Sequence, residues 1–77
     1  MASFIRFDRW DDTAEDNKGG HVYIDVLAVT AVAAEPFAGK TTVQAGGRSW
    51  SVRHPINDVI VSVDRVLHPE NYKDQKA

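Results

Sequence analysis

Gly46-Gly47 is the feature that most constrains this chain, because it stands between two segments rich in strand-forming residues, Thr41 to Ala45 and Arg48 to Arg53. A two-residue link in which both positions accept positive φ closes a tight antiparallel hairpin. The register follows. Ala45 pairs with Arg48, Gln44 with Ser49, Val43 with Trp50, Thr42 with Ser51 and Thr41 with Val52. Val43, Trp50 and Val52 then share one face, which is expected to meet the core. After His54, Pro55 is expected at the first position of a helix, where its missing amide costs nothing. Ile56, Val59, Ile60, Val63, Val66 and Leu67 follow at the spacing of one helical face. Strand pairing fits this segment less well, despite its β-branched residues, because it would put Asp58 and Ile60 on one face.

The preceding chain supplies strands to complete a sheet. Phe4 to Phe7 suits a first strand, and Val22, Ile24 and Val26 alternate with His21, Tyr23 and Asp25 as in a half-buried strand. Ala28 to Ala34 is apolar but alanine-rich, so its pattern allows a thin strand or a short helical turn, and we take the strand. Asp8 to Gly20 reads as an acidic, solvated loop, and Glu35 to Lys40 as a turn between strands. The expected fold is α+β, a small antiparallel sheet of four to five strands with one C-terminal amphipathic helix packed on it. Residues 1–68 form one domain with the acidic loop at 8–20, and 69–77 is a flexible polar tail.

A domain of 77 residues without cysteine has no disulfide or thiolate metal site to reinforce it, so self-association into a homo-oligomer is expected. The net charge of −2 provides no general field for nucleic acid. No apolar run approaches the roughly 20 residues of a membrane span and no signal-peptide core opens the chain, so a cytoplasmic protein is expected.

Chemistry-bearing motifs are few. Ala34 to Thr41 fits a relaxed phosphate-binding loop pattern, but a hairpin follows in place of the helix whose N-terminus such a loop needs. That leaves a turn with a solvated lysine. The acidic loop matches no calcium-binding frame, and His21, His54 and His68 lack ligand spacing. No nucleophile elbow surrounds Ser49, Ser51 or Ser62, so no enzyme, cofactor or metal is expected. One constellation suits a ligand: Lys40 and Thr41 at the hairpin entry and Arg48, Trp50, Arg53 and His54 along its exit, with Trp10 and Tyr23 as neighbours. Such a set can stack a base and clamp a phosphate.

Val22-Tyr23-Ile24-Asp25, Val29, Val32, Thr42-Val43, Gly47, Trp50-Ser51-Val52 and Val59-Ile60 together resemble the small FlbD-like proteins associated with flagellar regulation, and similar short proteins of phages and prophages. The likeness spans about half the chain. It implies a small sheet with a C-terminal helix and no enzymatic activity. FlbD-like sequences usually carry Asn-Pro where Asp25-Val26 stands and lack the acidic loop. Two functions are therefore expected in competition. One is a homo-oligomeric, phage-type binding protein that sequesters a nucleotide-like signalling ligand, as an anti-defence sponge in the host cytoplasm. The other is a FlbD-like regulatory adapter acting through protein contacts.

Overall fold

The computed structural model describes residues 3–37 and 39–72. Its strands are β1 (Phe4–Trp10), β2 (Lys18–Asp25), β3 (Val29–Ala34), β4 (Thr41–Ala45) and β5 (Arg48–Val52), followed by helix α1 (Ile56–Leu67). The sheet is antiparallel throughout and ordered β2-β1-β5-β4-β3. This is the expected α+β architecture with five strands.

β4 and β5 pair in the register that the glycine pair dictates, from Thr41 opposite Val52 to Ala45 opposite Arg48. Gly46 and Gly47 take φ of 59° and 78°, which gives the turn the twist that the flanking strands require. β3 adds to β4 with a shift of register between Val29 and Ala31, and β1 pairs with β2 from Phe4 opposite Asp25 to Trp10 opposite Lys18.

The two hairpins meet along a short seam, where only Arg9 and Val52 are ladder partners. Two further bonds fasten it. The Arg53 amide donates to the Asp8 carbonyl at 2.7 Å, and the Asp8 amide donates to His54 Nε2 at 3.0 Å. His54 is held in turn by its ring edge against Phe7 and by Thr41 Oγ1, which donates to the His54 carbonyl at 2.6 Å.

β2 and β3 are consecutive in the chain yet lie at opposite edges of the sheet, joined only by a 3₁₀ turn at Val26–Ala28. In a flat sheet those edges would stand about 19 Å apart, whereas four Cα steps reach at most about 14 Å. The sheet therefore curls. Val26 donates to the Ser3 carbonyl and Gly46 to the Ala28 carbonyl, which pins this corner to both hairpins. α1 packs against β3 and the corner and sends Val59 into a core of Phe7, Ile24, Val43, Ala45 and Val52.

Four expectations need correction. The acidic loop is shorter than 8–20, because β1 runs on to Trp10 and β2 begins at Lys18. Pro55 caps α1 rather than occupying its first turn. The expected helix face is only partly covered: Val59 is buried and Ile56 and Val63 are half-buried, while Ile60, Val66 and Leu67 are exposed. The start of the polar tail is ordered, since Pro69–Asn71 form a 3₁₀ turn and Tyr72 donates to Asp64 Oδ2 at 2.6 Å. The rest of that tail, 73–77, lies outside the described residues.

Val59 has no exposed surface, so Val59→Ala is expected to cost about 2–3 kcal/mol, two methyl groups plus a residual cavity. Val61→Ala, on the outward side of α1, should stay within about 0.5 kcal/mol. Urea unfolding of the two variants checks the contrast.

Candidate functional site

The six residues expected to gather around a ligand are spread along the β4–β5 hairpin. Lys40, Thr41, Arg53 and His54 lie at its open end, Trp50 lies at mid-strand opposite Val43, and Arg48 lies beside the turn. At about 3.4 Å per residue along β4, Arg48 stands roughly 14 Å from the open end and Trp50 roughly 7 Å.

The open-end residues are mostly engaged in the fold. Thr41 is fully buried, and its hydroxyl holds the His54 carbonyl. His54 accepts from the Asp8 amide through Nε2, so that nitrogen is the unprotonated one of the ring. Lys40 is the clearest departure from the sequence reading. It is 7% exposed rather than solvated. Its Nζ lies 3.4 Å from both Asp12 Oδ1 and Glu35 Oε1, and 5.2 and 5.4 Å from the ring centres of Trp10 and Phe37. As expected, a strand follows Lys40, where a phosphate-binding loop requires a helix.

Glu35 joins this lysine to the outer face of the hairpin. Its Oε2 accepts from Thr42 Oγ1 at 2.7 Å and Ser51 Oγ at 3.0 Å, and these two residues are ladder partners. The bond from Thr42 first, then that from Ser51 and the adjacent Lys40 ammonium, holds the Glu35 carboxyl below the ordinary glutamate range, against the opposing effect of burial.

The stretch with Trp50 and Arg48 is open. Trp50 is half-buried at the rim of the core, and the guanidinium carbon of Arg48 lies 4.5 Å from its ring centre. A residue missed in the sequence joins it. Arg9, the ladder partner of Val52, brings its guanidinium carbon to 5.7 Å from the same ring. Arg9 falls within the segment expected as the acidic loop, and the signal that finds it is the continuation of the Ile5, Phe7 alternation by one more step. Among the described residues, Arg9, Arg48 and Arg53 form no ion pair.

The remaining titratable candidates are local. Asp11 accepts from both the hydroxyl and the amide of Thr13, which lowers its pKa, and so uses its carboxylate to shape the 11–17 loop. His21 packs edge-on to Tyr23, and His68 Nδ1 lies 3.5 Å from Glu70. No helix among the described residues is long and apolar enough to cross a membrane. No protein-family model, curated protein or solved structure matches the chain.

A folded-state pKa below the unfolded value of 4.5 for Glu35 stabilises the fold above that value and ceases to do so as pH falls through the folded pKa. Glu35→Gln is therefore expected to flatten the acid-side loss of stability measured by urea unfolding at a series of pH values. A shallower slope from Asp11, whose pKa is lowered from 3.8, should remain.

Proposed function

We propose that this chain is a non-enzymatic binding protein that captures an anionic, nucleotide-like ligand on the surface formed by Arg9, Trp50 and Arg48 along β5. The observation that carries this is the pair of guanidiniums over one half-buried indole, neither in an ion pair among the described residues. Each guanidinium is oriented by the ring but keeps its N–H donors for an anion, and its planar fork matches phosphate geometry. The aromatic surface nearby offers a base or similar ring a place to stack. In one copy this set is an open surface, so a second copy supplies the opposing wall and the binding unit is a homo-oligomer. Sequestration of a signalling nucleotide fits such a site, because it requires affinity and no chemistry.

A protein-binding adapter is the second reading, favoured by the exposed Ile60, Val66 and Leu67 on α1 and by Leu27, 65% exposed, at the corner that α1 packs against. Apolar side chains at helical spacing are the form in which a helix is read by a partner.

A thermal scan against cyclic and ADP-ribose-type nucleotides separates the two. A ligand at a hundredfold over its Kd should add about 2.7 kcal/mol to stability, and Arg9→Ala or Arg48→Ala should abolish the rise without lowering the stability of the free protein by more than about 1 kcal/mol. No rise with any nucleotide, together with loss of partner capture on Ile60→Asp, would favour the adapter.

A further inference from the structure

The environment of Lys40 is more elaborate than a buried ion pair needs. Two aromatic rings, Trp10 and Phe37, lie nearly parallel with centres 6.3 Å apart and planes 24° from each other, and the Lys40 ammonium sits within 5.4 Å of both. Two carboxylates complete the surround, and each is fixed by groups other than the lysine. Trp10 Nε1 donates to Asp12 Oδ1 at 2.7 Å, and Thr42 and Ser51 hold Glu35. Aromatic faces and fixed carboxylates around one cation are the chemistry that recognises alkylammonium groups. The walls come from two separate parts of the chain, Trp10 and Asp12 on one side and Glu35 and Phe37 on the other. The lysine that fills the space is carried by the same turn as Glu35 and Phe37, a turn closed by bonds from the Glu35 amide to the Lys40 carbonyl and from the Lys40 amide to the Phe37 carbonyl.

We propose that Trp10, Phe37, Asp12 and Glu35 form an alkylammonium-binding site which Lys40 occupies in cis, tying Glu35 and Phe37 to the loop at 11–17. The site is independent of the arginine-lined face of the sheet, since Trp10 and Arg9 are adjacent in β1 and project to opposite faces. While the Lys40 ammonium is seated, an external cation meets a filled site. When the lysine is withdrawn, the cage accepts a primary or methylated ammonium group from solution or from the lysine side chain of a partner.

The test uses Lys40→Ala in the full chain, with butylammonium chloride as the probe and sodium chloride at equal ionic strength as the control. The variant is expected to melt below the parent and to recover part of that loss with butylammonium beyond the sodium control. The parent should show no such gain, and adding Trp10→Ala to the variant should remove it. A folded Lys40→Ala protein that responds equally to both salts overturns the proposal. Should that variant not fold, proton NMR of the parent decides. The Lys40 Hε resonances are expected upfield of those of free Nα-acetyl-lysine because of the two rings, and unshifted resonances overturn the proposal.

Discussion

The seam between β1 and β5 is the constraint on which the rest of the molecule depends. Each hairpin is a local object with its own turn, but a two-stranded hairpin alone is marginal in water. The hairpins become one curled sheet only where Arg9 meets Val52, and that single ladder pair is reinforced by the Arg53 amide on Asp8 and the Asp8 amide on His54. Phe7 and Ile24 on one side and Val43 and Val52 on the other are brought into a common core by this junction, which Val59 then closes from above. The polar atoms that fasten the seam are satisfied, and among the described residues no buried side-chain nitrogen or oxygen lacks a partner.

Both candidate sites are built across this same seam. On one face Arg9 comes from β1 while Trp50 and Arg48 come from β5. On the other, Trp10 and Asp12 meet Lys40 and Glu35 from the far hairpin. Neither set exists within one hairpin. Polar residues that sequence reasoning gathers into a single ligand site thus divide by physical role: Thr41 and His54 fasten the junction, Lys40 fills a cage beside it, and Arg48 and Arg53 form no ion pair among the described residues.

The division between what the sequence reveals and what it conceals has a physical basis. The β4–β5 register is legible residue by residue because a two-residue turn of glycines admits one pairing, and the period of the side chains then assigns their faces. The helix is legible because its apolar spacing is regular, but how much of that face is covered depends on the area of sheet beneath it, which no local pattern encodes. The extension of β1 through Asp8, Arg9 and Trp10 is hidden because these residues are polar or bulky and gain their strand state from pairing with Lys18 to His21. Gly19 in that ladder has little room for a side chain, since a Cβ there would stand 2.9 Å from the Asp11 Cβ. The burial of Lys40 is likewise a tertiary fact, because its partner Asp12 lies 28 positions away.

The role of the seam as the joint that unites two hairpins and creates both sites is tested most directly by native-state amide hydrogen exchange. The amides of Asp8 and Arg53 should exchange only through global unfolding, with the same opening free energy and denaturant dependence as the core amide of Val43. Exchange of Asp8 and Arg53 through a local opening that leaves Val43 protected would contradict it.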